Sequence, residues 1–272
     1  FCARQVTIKK LKRPYKRHDG KAGRDTMQTV RSQLFEGITN EECARMFQCF
    51  GAREAGYEAG ALISEFDGEQ NAVGVLLSGS GTNLQAIIDE IANGLPVEIV
   101  HVLSSRPDAY GIERARAVGI PVTVFDRSCY EDREAADARI AAIMQEAGVE
   151  YLVMAGYMRK LTPVVLDAFP DHVLNLHPAL LPSFKGAHAI QDAWDAGVKV
   201  TGVTVHLANE DYDKGPIVAQ RAVPVLEDDD IDALEARIHE TEHIIYPEVL
   251  RAIAEGRMTL DADRKIHIRS VD

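Results

Sequence analysis

Cysteine, tryptophan and long apolar runs are all scarce in this 272-residue chain. The four cysteines, Cys2, Cys43, Cys49 and Cys129, form no CxxC pair and no cluster at metal-ligand spacing. That excludes a disulfide scaffold, a zinc finger and a dithiol redox motif, and the expectation is reduced thiols in a cytoplasmic protein with no metal. No apolar run approaches the ~20 residues of a membrane-spanning helix. The basic start of the chain lacks the apolar core of a secretory signal, so no membrane partner is expected. A net positive balance is confined to the start of the chain. Residues 1–26 carry nine Lys or Arg against Asp19 and Asp25, a balance of +7, so the remainder holds −19 of the net −12. An acidic body excludes a nucleic-acid partner on electrostatic grounds. An anionic substrate must then be held by a local device.

What is present divides the chain into three parts. Residues 1–26 have few large apolar residues and no amphipathic period, the composition of a basic disordered segment. Met27 is a candidate start for the native protein, with the preceding residues foreign to it. Residues 27–71 form a short extension in which NEECARMFQCFG predicts a helix capped by Thr39 or Asn40, and Gly56, Gly60 and Gly68 mark turns. From Ala72 the pattern becomes regular. Strand-like runs AVGVLLS, VEIVHVLSS, PVTVFD, VEYLVMAG and HVLNLH alternate with helical patterns. The helices are Asn83 to Asn93, Tyr110 to Val118, REAADARIAAIMQEAG and LTPVVLDAF. This alternation predicts an α/β, Rossmann-like, mainly parallel sheet flanked by helices over residues 72–272. A helix AIQDAWDAG, two longer β runs (VKVTGVTVHLAN and GPIVAQRAVPV), an amphipathic helix near 230–255 and a terminal hairpin turning near Asp261–Asp263 complete it.

Polar residues gather at the predicted strand ends, where α/β proteins build their sites. The turn Ser78-Gly79-Ser80-Gly81-Thr82-Asn83 opens a helix with small residues, so its N–H groups can converge on a phosphate or carboxylate. It lacks the third glycine of a dinucleotide fingerprint and the Lys-Ser/Thr of a P-loop. Asn175 and His177 stand at i and i+2 of one strand and share a face, where an amide and an imidazole can serve one developing oxyanion. A structural histidine at a strand end is the competing account. The acidic loop Glu210–Asp213 matters to chemistry only where Asp213 folds back to His177, holding the ring charged and oriented. Otherwise it is a solvated turn. His206 has no second ligand at metal spacing and reads as a buried supporting residue, as do His188, His239 and His243.

Several segments in order, GVLLSGSGTNLQAIID, AYGIERARAVGIP, EDREAADARI, MAGYMRKLTP, NLHPALLPSFKGAHAIQDA, GVTVHLANEDYDKGPIVAQ and ETEHIIYPEVL, resemble phosphoribosylglycinamide formyltransferases of purine synthesis. The resemblance spans residues 72–272. It implies the formyltransferase fold and the transfer of a formyl group from 10-formyltetrahydrofolate, a co-substrate, to the amine of glycinamide ribonucleotide. It implies Asn175, His177 and Asp213 as the catalytic residues, with Gly81, Thr82, Asn83 and Glu242 on the ribonucleotide. It implies Arg133, Met158, Arg159, Lys160, Leu161, Asn175, Ala208 and Glu210 on the folate. The partners implied are small molecules, in a monomer or homodimer. Three positions depart from the family pattern: Lys160 where an aliphatic residue is usual, Lys214 where glycine is common, and His239 where Gln or Lys is usual.

Residues 33–80 separately resemble the start of a cyclic-AMP-receptor-type sensor domain. The rest of that fold and its DNA-reading helices do not follow, so no function is carried over. Alternatives are a formyltetrahydrofolate hydrolase, which usually has a second histidine where Pro178 stands, a fusion with impaired catalysis, and a ligand-sensing regulator fragment. Methionyl-tRNA formyltransferase fits less well, because the SGSGTN turn differs and no tRNA-binding domain follows.

Overall fold

The computed structural model describes residues 71–270. The expectations for residues 1–26 and for the extension before Asn71 lie outside the described residues. Strand β1 (Asn71–Leu77) leads to α1 (Thr82–Ala92), β2 (Val97–Ser104), α2 (Gly111–Ala117) and β3 (Val122–Val124). A 3₁₀ turn at Arg127–Tyr130 precedes α3 (Arg133–Glu146), β4 (Tyr151–Met154), α4 (Pro163–Ala168) and β5 (Val173–His177). Then come α5 (Ala189–Asp195), β6 (Val200–Leu207), β7 (Ile217–Pro224), α6 (Ile231–Ala254) and the hairpin β8 (Met258–Leu260) and β9 (Ile266–Ile268).

The main sheet has the order β3-β2-β1-β4-β5-β6-β7. β1 to β5 pair in parallel, and β6 runs antiparallel to both of its neighbours. The mainly parallel expectation therefore holds, with one reversed strand. Val73, Val75 and Leu77 of β1 face the cluster formed with α1, α2 and α6, while Leu76 faces the cluster formed with α3 and α4. Burial on both faces is why β1 reads as a continuous apolar run rather than an alternating one. The order reverses at β1, between β2 and β4. In open α/β sheets ligands bind in the crevice outside the carboxyl ends of the strands at such a point. Ser78, Gly156, Asn175 and His177 all lie at that edge.

Two packing features fix the elements that border this edge. Tyr246 of α6 is fully buried, and its hydroxyl lies 3.1 Å from the carbonyl oxygens of both Met154 and Leu174. This bolts the helix under β4 and β5 and brings Glu242, one turn earlier on the same face, to the carboxyl edge. Pro247 lies inside α6 without ending it. Its lost hydrogen bond is outweighed by packing of the buried Tyr246, Val249 and Leu250 around it.

Gly215 pins the loop after β6. A Cβ there would overlap the Leu207 carbonyl oxygen, and Leu207 N–H donates to the Pro216 carbonyl at 2.9 Å. Gly215→Ala is expected to cost about 2–3 kcal/mol through overpacking against backbone. In thermal unfolding this is a fall of about 5–10 °C, and an unchanged midpoint would refute the close approach. Among the described residues no helix is long and apolar enough to cross a membrane.

Candidate active site

Asp213 is the centre of the cluster at the carboxyl edge. Its backbone sits in the left-handed region, with φ of 53°, which turns its side chain inward from an otherwise exposed loop. The carboxylate is 2% exposed. Oδ2 accepts the Gly186 N–H at 2.9 Å and lies 3.5 Å from His177 Nδ1, while Oδ1 lies 3.7 Å from His206 Nε2. Burial pushes this carboxyl up. A protonated His206 ring, the Gly186 N–H and a protonated His177 ring together outweigh burial and hold it below the ordinary aspartate value. Lys214, the departure beside it, has no positive φ. Its side chain reaches out to Asp211 at 3.4 Å. The loop thus places the left-handed turn on Asp213 and accepts a side chain at the next position.

His177 is 4% exposed and caught between two acceptors. Its Nε2–H donates to the Phe184 carbonyl at 2.7 Å, and its Nδ1 faces Asp213. Phe184 has a φ of 50°, so the excursion from β5 to α5 bends sharply to present that oxygen. Asn175 shares the strand face with His177 and has its own partner. Asn175 Nδ2 lies 3.0 Å from His206 Nε2, directly across the antiparallel pair of β5 and β6. His206 Nδ1 lies 2.9 Å from the Leu207 carbonyl, which can only accept. In the neutral ring Nδ1 therefore carries the proton and Nε2 accepts from the Asn175 amide. One amide hydrogen is used in this way and the other remains for a ligand. Residue types alone gave His206 only a supporting role, and its contact with Asn175 depends on the strand pairing.

The first βα turn lies at the same edge. Gly81 precedes α1 with φ of 70°, and a Cβ there would sit 2.6 Å from Gly111 Cα, so glycine is required on both counts. No side chain caps α1, which leaves its first N–H groups free for an anion. Arg114 braces the turn from α2, donating to the Ser80 carbonyl at 2.9 Å and to Gln85 Oε1 at 3.0 Å. Asn83 Nδ2 donates to Glu242 Oε2 at 3.0 Å, joining α1 to α6. Glu242 is 4% exposed.

Beside Asn175 and Asp213 lies a cavity of about 50 Å³, walled by Met154, Leu161, Leu166 and Ala208 and also lined by Lys160 and Tyr212. Lys160 and Leu161 also line a groove of about 380 Å³ with Arg133 and Glu210. Arg133 donates to the Lys160 carbonyl at 2.9 Å. The Arg159 guanidinium stacks 3.6 Å over the Tyr130 ring, a cation–π contact that fixes the segment. Met158 is 70% exposed, yet its N–H donates to Ser78 Oγ at 2.9 Å. A slot with one apolar wall and an amide, an imidazole and a carboxylate opposite it suits a flat heteroaromatic ring carrying a reactive carbonyl. The adjoining groove carries the cations Arg133 and Lys160 beside the carboxylates Glu134 and Glu210, so an anionic tail would have to meet the two cations. Among the described residues no group of three or more His, Cys, Asp or Glu is arranged to hold a metal ion.

The family model described as formyl transferase matches residues 71–250. Over 189 residues the chain is 43% identical to phosphoribosylglycinamide formyltransferase of Haemophilus influenzae, covering 69% of this chain and 89% of that protein. The chain belongs to the phosphoribosylglycinamide formyltransferase family. Among solved structures, glycinamide ribonucleotide transformylase 1 from Symbiobacterium toebii aligns with a TM-score of 0.73 at 45% identity, covering 78% of this chain and all of that one. The trifunctional purine biosynthetic protein adenosine-3 of Chironomus tentans is 43% identical over 192 residues, and the chain spans only 14% of that longer protein. The formyltransferase match thus covers the whole sheet and both sides of the carboxyl edge, and residues 1–70 lie outside it.

Proposed function

We propose that residues 72–272 transfer the formyl group of 10-formyltetrahydrofolate to the amine of glycinamide ribonucleotide, with Asn175, His177 and Asp213 as the catalytic residues. One observation carries these roles: a buried carboxylate 3.5 Å from an imidazole, beside a strand-end amide with a hydrogen to spare. The uncapped start of α1, with Gly81, Thr82 and Asn83, receives the phosphate, and Glu242 receives the sugar. Met154, Leu161 and Ala208 enclose the pteridine, and Arg133 and Lys160 meet the glutamate tail, with Met158, Arg159 and Glu210 bordering the same cleft.

The folate supplies an activated formyl carbon. The neutral amine attacks that carbon, a C–N bond forms, and the bond to N10 breaks. Asn175 donates its free amide hydrogen to the oxygen on which charge develops. His177 donates to the same oxygen once its Nε2–H leaves the Phe184 carbonyl, so closure over substrate must move the bend at Phe184. Asp213 orients His177 through Nδ1, takes the amine proton by way of water, and releases it to the departing N10, which returns the carboxylate to its charged form. No side chain becomes covalently linked. Holding both substrates at one edge supplies the proximity contribution. Under this scheme the chain acts on small molecules in the cytoplasm, as a monomer or homodimer.

The test is consumption of 10-formyltetrahydrofolate with and without glycinamide ribonucleotide. Turnover that requires the ribonucleotide is the expected result. Equal consumption in its absence would replace the transferase by a hydrolase.

A further inference from the structure

His239, one of the departures from the family pattern, makes a contact that residue type alone does not suggest. Its Nδ1 lies 3.0 Å from Glu242 Oε2, and its Nε2 lies 3.3 Å from Glu235 Oε1. The Asn83 amide donates to the same Oε2 at 3.0 Å. One oxygen of a buried carboxylate is therefore gripped from two helices. The other, Oε1, has no hydrogen-bond partner among the described residues and is left to accept from a ligand. Carboxylates only accept, so the imidazole satisfies both of its neighbours only with a proton on each nitrogen.

We propose that His239 is a positioning residue that clamps Glu242 for the ribonucleotide and makes affinity for that substrate depend on pH. This rests on the assignment of Glu242 to the sugar made above. The clamp works from the charged ring. The bond to Glu242 is the main cause that raises the imidazole above its ordinary value of 6.5, against burial, with Glu235 adding to the rise. Charges around this face are Glu235, Glu240, Glu242 and His243 on α6 itself and Arg114 from α2. His243 is held down by burial, so it stays neutral while His239 is charged. Because the folded value is raised, the clamp is complete below the ordinary histidine range. It is lost as pH rises through the raised value.

Two measurements test this on the full chain. In an NMR titration the His239 ring is expected to titrate above 6.5 and to fall towards it in Glu242→Gln; an unchanged titration overturns the contact. In steady-state kinetics His239→Leu is expected to raise KM for the ribonucleotide about tenfold, with kcat and the KM for the formyl donor within about twofold. His239→Gln keeps a neutral donor. It is expected to restore KM and to lose the increase with pH that the native enzyme shows against the same substrate. A pH profile shared by native enzyme and both variants overturns the clamp. Absence of ribonucleotide-dependent turnover in the native enzyme would instead overturn the assigned reaction, and the NMR titration would still decide whether His239 holds Glu242.

Discussion

Asp213→Asn is expected to lower kcat by at least about 10²-fold with the fold intact. The substitution keeps shape and size, and the side-chain oxygen can still accept the Gly186 N–H, which it does at 2.9 Å. What disappears is the charge facing His177 and His206. Without it, nothing favours the orientation in which His177 donates to the oxyanion, and no carboxylate remains to receive the amine proton. The contact is long at 3.5 Å, as such contacts often are before substrate tightens them. KM values should move little, since the lost interaction serves the transition state. Turnover within about tenfold of native would remove Asp213 from the mechanism.

Acid stability should separate the two proteins as well. The Asp213 carboxyl is held below the ordinary aspartate value of 3.8, so its contribution is complete above that value. It is lost as pH falls through the lower folded value. Native protein should therefore lose more stability than Asp213→Asn as acid is added below about pH 4, measured as thermal midpoint against pH. Parallel curves would show that the carboxylate is not stabilised by its neighbours.

Asn175→Ala is expected to cost about 10²–10³ in kcat, the usual loss for one oxyanion donor. Here the amide has two tasks. One hydrogen goes to His206 Nε2 at 3.0 Å and the other to the oxyanion. Truncation removes the donor to the substrate and leaves a buried imidazole nitrogen without its hydrogen bond. A stability loss of about 1–3 kcal/mol accompanies the kinetic one for that reason. The two effects are separated by assay well below the midpoint of the variant. Near-normal turnover from folded Asn175→Ala would place the oxyanion elsewhere.

Period-2 and helical patterns identified the alternating strands and helices, because burial on a strand or helix face is written into local spacing. β1 was recognisable from its unbroken apolar run and α6 from its long amphipathic period. The hairpin of β8 and β9 was recognisable from its turn residues. Pro247 would ordinarily interrupt such a helix, and only packing around Tyr246 carries α6 through it. Asn175 and His177 were visible as a pair because strand geometry puts i and i+2 on one face. The partner of Asn175 was not visible. His206 reaches it across β5 and β6, and that register depends on how residues 178–199 return the chain antiparallel.

Local order along the chain therefore settled the fold class, the turn at Ser78–Asn83 and the identity of the polar residues at the strand ends. Those features arise from neighbours within one turn or one strand, where spacing alone sets direction. Tertiary structure decided which polar groups meet. It turned Asp213 inward through a left-handed backbone, occupied His177 with the Phe184 carbonyl, and paired Asn175 with His206. It also set Asn83 and His239 on one oxygen of Glu242. The contacts of Asp213 with His177, Asn175 with His206 and Asn83 with Glu242 join residues far apart in sequence, and they depend on packing that no local pattern encodes.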